Sequence, residues 1–229
     1  MVTVREQASG GETTYGRETR ARILAAAERR FKHYGYAKTS IVDIASDCAM
    51  SHANVYRFFR NKTSLVDAIA SVWLTESERV CRDVVDLPLP AGDRLIAFVL
   101  TLHRWKLGAY VRNSRAYELL TVASHEQRPF VGVHLAVLAD LLVEIIEDGN
   151  ARDDFDERDP RRLAASIGYA TSRFCNPWQV AAYAHEPLED QARDVMTLLV
   201  AGIPRKSSSS TLAAAKTRAE PPNATRTNR

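Results

Sequence analysis

The chain has 229 residues, 45% of them apolar, and a net charge of +3, which is ordinary for a globular protein and far from a disordered one. There is no run of roughly 18 or more apolar residues, so no membrane-spanning helix is expected. The opening MVTVREQASGGETTYG lacks the apolar core of a secretory signal. Cys48, Cys81 and Cys175 are odd in number and widely spaced, which suits reduced thiols in the cytoplasm better than a disulfide framework.

Residues 1–16 are rich in Gly, Ser and Thr and are expected to be flexible. From about Arg17 the pattern is helical: Ile23, Ala27 and Phe31 recur every four residues beside Leu24, and Gly35 supplies a stop. Ser40 with Asp43 three residues on resembles a capping box and opens a short helix whose inner face carries Ile41, Ile44 and Ala45. Ser51 is the next N-cap and Asn61 another, with a long helix predicted from Lys62 to Arg82. DLPLPAGD, residues 86–93, breaks the pattern and is the expected seam between two parts.

Beyond the seam the reading stays helical: Arg94–Val111, Ser114–Ala123 and Phe130–Glu147. An acidic loop, GNARDDFDERD, follows. Pro160 then opens a helix to about Ala184, with Pro177 expected to kink or interrupt it. Pro187 opens the last helix, which closes at Gly202 and Pro204. Residues 205–229 read as a disordered basic tail. No strand-like alternation and no repeat occurs, so the fold class is all-α.

Charge is segregated along the chain. Residues 17–65 hold ten Lys/Arg against four Asp/Glu, a net +6. Residues 66–204 hold 14 basic and 21 acidic side chains, a net −7, and the tail holds six and one, a net +5. A small basic module ahead of a larger acidic one points to a polyanion as partner of the first part.

Helices near Ile41–Cys48 and His52–Phe58, joined by about three residues, have the spacing of a helix-turn-helix. The second helix is expected to bury Val55 and Phe59 and to turn out His52, Ala53, Asn54, Tyr56 and Arg57. Ser51 caps it, so its free N–H groups and positive dipole end face outward, toward a phosphate or a base edge. Ala53 is small enough to approach a thymine methyl, and His52, Asn54 and Arg57 can hydrogen-bond to bases. Tyr56 and Lys62 are expected at phosphates.

At these residues the chain resembles the TetR family of bacterial transcription regulators, whose DNA-binding region reads T-x-x-x-x-I-A-x-x-A-G-V-S-x-G-x-L-Y-x-H-F-x-x-K-x-x-L. The matching positions here are Thr39, Ile44, Ala45, Cys48-Ala49-Met50-Ser51, Ala53, Val55, Tyr56, Phe58, Phe59, Lys62 and Leu65. Ala49 and Ala53 stand where glycines are usual, and Phe58 where a histidine is usual. The resemblance implies a homodimer of about nine helices per subunit: a three-helix DNA-binding domain (17–65), then a helical ligand-binding and dimerisation domain (66–204). It implies a DNA interface of Thr39, Ser40, Ser51, His52, Ala53, Asn54, Tyr56, Arg57 and Lys62 on a double-stranded palindromic operator. A dimer seam is expected along the last two helices, with Leu188, Ala192, Val195 and Leu199 at helical spacing.

Aromatic side chains crowd the larger domain. Phe98, Leu102, Trp105, Tyr117, Tyr169 and Phe174 are expected to line a pocket for a small-molecule effector. His103, His125, His134 and His185 lack paired metal-ligand spacing, so neither a metal nor a cofactor is expected. No catalytic motif occurs. The functional expectation is a ligand-responsive transcription factor, a repressor released by a small apolar or aromatic effector. Two alternatives are an activator of the same fold and a helical carrier or enzyme with an inert basic module.

Overall fold

The computed structural model describes residues 14–205. The expected flexible start, up to residue 13, and the basic tail from residue 206 lie outside the described residues. The described chain is all helix: α1 (Thr14–Tyr34), α2 (Ile41–Asp47), α3 (His52–Phe58), α4 (Lys62–Val85), α5 (Ala91–Arg112), α6 (Ser114–His125), α7 (Pro129–Ala151), α8 (Pro160–Ala170), α9 (Ser172–Cys175), α10 (Pro177–Ala182) and α11 (Leu188–Ala201).

Eleven helices stand where about nine are expected, because the single helix foreseen after Pro160 is broken twice. Pro177 has no N–H to donate back into a preceding turn. It starts α10 instead, with Asn176 as N-cap accepting from Trp178 N at 2.9 Å. The other break falls at Thr171, whose hydroxyl donates to Ile167 O at 2.7 Å. Elsewhere the predicted caps hold. Ser40 and Asp43 form a reciprocal capping box, Ser51 accepts from Asn54 N, and Asn61 and Ser64 form a second capping box.

Three of the packed cores are threaded by one helix. The N-terminal core gathers Ile23, Ala27 and Phe31 of α1, Ile44 of α2, Val55 of α3 and Leu65, Val66 and Ile69 of α4. One turn further, Ala70 and Leu74 of α4 pack with Tyr117, Leu120 and Val180. Its last turns place Cys81, Val84 and Val85 in the largest core, with α5, α7 and α11. A rigid rod of 24 residues, about 36 Å at 1.5 Å per residue, therefore joins the basic module to the acidic one.

The charged pairs tie the layers together. Arg94 on α5 is 3% exposed and pairs with Asp148 on α7, while its other nitrogen donates to Val85 O at 2.8 Å. α7 is long and apolar enough to cross a membrane by length and composition, a property that counting uninterrupted apolar residues overlooks. Its Leu138, Leu141, Leu142, Ile145 and Ile146 are buried in the largest core. α7 also runs past its expected end at Glu147 to Ala151. Gly149 lies in that extension because a Cβ there would meet Phe155 at 2.5 Å and Ala91 at 2.7 Å. Phe155, from the acidic loop, is itself 1% exposed.

Candidate nucleic-acid interface

α3 is only seven residues long, too short to hold itself. It is held by burial: Val55 and Phe59 are 0% and 3% exposed against α1, α2 and α4. With that side fixed, the helical period leaves His52, Ala53, Tyr56, Arg57 and, one turn on, Arg60 in solvent. Ser51 is exposed at the N-terminus, where its Oγ accepts from Asn54 N at 3.2 Å. The rings of His52 and Tyr56 meet edge to face at 6.4 Å. Asn54 sits on the flank, partly buried, and its Nδ2 donates to Met50 Sδ at 3.7 Å.

The turn ahead of α3 runs through Ala49, at φ 51°. An L-residue with a Cβ pays of order 1–2 kcal/mol in this left-handed region, where glycine pays none. The conformation is imposed by its neighbours: Met50 N donates to Ala45 O and Ala49 N to Ser46 O, both at 3.0 Å. Ala49→Gly should therefore raise the stability of the module by about 0.5–1 kcal/mol, the relief being partly offset by chain entropy. Thermal unfolding of the two proteins side by side checks it; equal or lower stability would show that the turn is unstrained.

The basic residues divide into two groups. Some hold the module together. Arg30 forms a two-pronged hydrogen bond with Asp47 at 2.7 and 2.8 Å, and this bond holds the Asp47 carboxyl below its ordinary range. Arg22 donates to Cys48 O at 2.9 Å, and Arg20 lies over the Phe59 ring at 4.8 Å. Lys62 belongs here too, contrary to its expected place at a phosphate. Its ammonium donates to Tyr36 O at 2.8 Å and Thr39 O at 2.9 Å and sits 4.0 Å from the Tyr36 ring. Thr39 is likewise turned inward, 2% exposed, its hydroxyl donating to Gly35 O. Sequence spacing could not show this, since both residues stand at the right places for an interface and differ only in where their polar atoms point. Arg17, Arg29, Lys38, Arg57 and Arg60 form the second group: exposed, and in no hydrogen bond or ion pair among the described residues.

The expected effector residues scatter. Phe98 and Leu102 are buried in the largest core, Tyr117 in the core around α6, and Phe174 in a fourth core with Leu100, Leu188 and Ala192. Trp105 lines a groove of about 930 Å³ with Trp73 and Arg112, between α1, α4, α5 and α6. Tyr169 is 82% exposed and faces outward, away from any interior pocket. The expected dimer stripe also needs correcting. Leu188 and Ala192 are 2% and 0% exposed within one chain, and Val195 and Leu199 are packed against the same cores. The apolar face of α11 is what docks it onto α5.

A different apolar surface is left open. α7 presents Gly132, Val133, Leu135 and Ala136, and α8 presents Ala165, Gly168 and Tyr169, all exposed. Arg161 of α8 pairs with Asp140 of α7 at 3.2 Å. The result is an open surface across two neighbouring helices in which Gly132, Ala136, Ala165 and Gly168 stand among the larger Val133, Leu135 and Tyr169.

Residues 23–69 match the family model for bacterial regulatory proteins of the tetR family, and residues 91–196 match that for the tetracyclin repressor-like C-terminal domain. Over 52 residues, 23% of the chain, the sequence is 44% identical to the HTH-type transcriptional regulator TtgR of Pseudomonas putida; the match spans 25% of that relative's length. Among solved structures, the fold is similar to FadR of Thermus thermophilus, a TetR family transcriptional repressor in complex with lauroyl-CoA. The TM-score is 0.61 at 17% identity, covering 82% of this chain and 97% of that one. The fatty acid degradation regulator FadR of Bacillus halodurans gives 0.58 at 16% identity, with 82% and 97% covered.

Proposed function

The chain belongs to the TetR family of bacterial transcription regulators, and on that premise we propose that it is a repressor that binds a palindromic operator as a homodimer and lets go when a small molecule occupies its larger domain. The observation that carries this reading is α3. It is capped by Ser51, anchored by Val55 and Phe59, and offers His52, Ala53, Tyr56 and Arg57 to solvent on one side. A helix so held fits a major groove, where Arg57 and His52 reach base edges and Tyr56 a phosphate.

The second copy docks on the open α7–α8 surface. One α3 covers only a half-site, so a palindrome needs two readers, and small side chains let two helix pairs approach closely. The effector lies in the interior spanned by α4, α5, α6, α7 and α10. α4 transmits its presence because the same rod is packed into the N-terminal core and both inner cores. A second link runs from the start of α6 to the last carbonyls of α1: Arg115 donates to His33 O at 2.7 Å and Asn113 to Lys32 O at 3.3 Å. Coupling of about 1–3 kcal/mol per site is the usual scale of such control.

Salt dependence tests the DNA interface. Each phosphate neutralised adds about −0.9 to the slope of log K against log salt. Lys38→Ala, removed from both subunits, is expected to flatten the slope by about 1.8, whereas Lys62→Met should leave it within error because Lys62 faces inward. Fluorescence anisotropy on a bound duplex between about 50 and 300 mM salt reads both. A slope near zero for the parent protein would remove the DNA-binding reading.

A further inference from the structure

Inside the larger domain, four buried polar atoms have no hydrogen-bond partner among the described residues: Arg94 Nε of α5, whose two terminal nitrogens hold Asp148 and Val85 O, the Tyr117 hydroxyl of α6, His134 Nε2 of α7 and Gln179 Oε1 of α10. Tyr117 and His134 are 1% and 3% exposed. Buried polar groups are nearly always satisfied, and each orphan costs of order 1–3 kcal/mol. Beside them lies Lys106 of α5, 3% exposed. Its ammonium donates to Cys175 O at 2.7 Å and pairs with no carboxylate among the described residues. An unpaired buried charge is the costliest arrangement of all, and burial accordingly lowers the Lys106 pKa; an anion beside it would restore the charge.

Tyr117, His134 and Lys106 share one neighbourhood: the Lys106 charge acts on His134, and Cys175, whose carbonyl Lys106 holds, lies close enough to act on Tyr117. Gln179 lies toward the surface, beside Ser124 and Trp178. Burial, with the Lys106 charge behind it, pushes His134 down to about 3, so its ring is neutral at neutral pH. Nδ1 then donates to Glu78 Oε1 at 2.8 Å, which leaves Nε2 as a bare acceptor. The broken helix adds to the site. Because the chain stops at Asn176 and restarts at Pro177, the carbonyls of Phe174 and Cys175 find partners in His103, at 2.8 Å, and Lys106.

We infer that this cluster is a binding site for a hydroxylated organic acid with an apolar body, its carboxylate taken by Lys106 and the Tyr117 hydroxyl and its own hydroxyl donated to His134 Nε2. The assignment matches Lys106, Tyr117 and His134 each to a complement. The cation needs an anion, the phenol needs an acceptor, and the imidazole nitrogen needs a donor. The surrounding side chains, such as Leu102 and Leu120, supply the apolar remainder. The inference rests on the reading that a small molecule in this domain controls DNA binding, and it specifies the chemistry of that molecule.

The test uses the full chain and six probes: 4-hydroxybenzoate, benzoate and hexanoate, each against its neutral amide. Thermal unfolding reads binding, and anisotropy of the DNA complex reads control. The acids should stabilise the protein saturably and the amides should not, with 4-hydroxybenzoate binding more tightly than benzoate. Lys106→Met should weaken acid binding about 10–100-fold, the scale of a hydrogen bond to a charged group. Tyr117→Phe, a gentler change, should weaken it about tenfold and stands in if Lys106→Met does not fold. The assignment is overturned if no acid stabilises the protein, if the amides do so equally, or if the variants respond like the parent. DNA released by the amides alone overturns the acid assignment and leaves ligand-controlled repression standing. Acids that bind through Lys106 without altering DNA affinity uphold the site and overturn its control of DNA.

Discussion

Gly168→Arg is expected to leave the fold intact, convert the protein to a monomer and lower operator affinity by about 100-fold or more, the loss that follows when two linked binding events become one. A Cβ at Gly168 meets nothing within 4 Å. The residue lies inside α8, where glycine is a poor helix former. Within one chain the substitution therefore costs nothing and slightly favours the helix. In the proposed dimer it would set a long charged side chain, and its copy, against a surface otherwise built of Gly132, Val133, Leu135, Ala136, Ala165 and Tyr169. A buried unpaired charge at such an interface outweighs the apolar contact it displaces. Sedimentation equilibrium together with anisotropy on a bound duplex checks both halves of the prediction. A variant that remains a dimer would move the seam elsewhere, and the exposed Leu198 on α11 would then be the next surface to examine.

Phe31→Ala is expected to abolish DNA binding while leaving most of the helical signal. Phe31 is fully buried, packed with Ile23, Ile44, Val55 and Phe59. Removing a buried phenyl ring costs about 3–5 kcal/mol. The stability of a module of roughly fifty residues is itself on the order of 5 kcal/mol, so α1–α3 should open while the rest of the chain holds through its own cores. Hydrogen exchange is the discriminating measurement: protection should be lost over residues 17–60 and kept in α5 and α7. Uniform loss of protection would mean that the chain unfolds as one unit, with α4 carrying instability from the first core to the others.

Much of the fold was legible because its signals are local. The capping pair Ser40–Asp43, the caps Ser51 and Asn61 and the first-turn Pro160 each act within one turn of their own helix. What the sequence did not reveal depends on distant partners. The Leu188–Leu199 stripe marks an apolar face, but periodicity cannot tell whether a helix of the same chain or of a second copy covers it; here α5 does. The same holds for polar groups. Lys62 and Thr39 occupy positions suited to an interface, yet their polar atoms turn toward Tyr36 and Gly35. Phe155 is hidden in an acidic loop because the room it fills is made by Gly149, in the helix before it. The polar cluster around Lys106 was the least legible. Its members, Lys106, Tyr117 and His134, come from three helices, and none of them stands at a spacing that announces a site.

Selection of duplexes from a random library by the purified full chain tests the central claim most directly. The account predicts an inverted repeat whose half-sites lie about one helical turn, roughly 34–36 Å, or a multiple apart, with two chains bound per duplex. Recovery of a single unrepeated half-site, or of no enriched sequence at low salt, would contradict it.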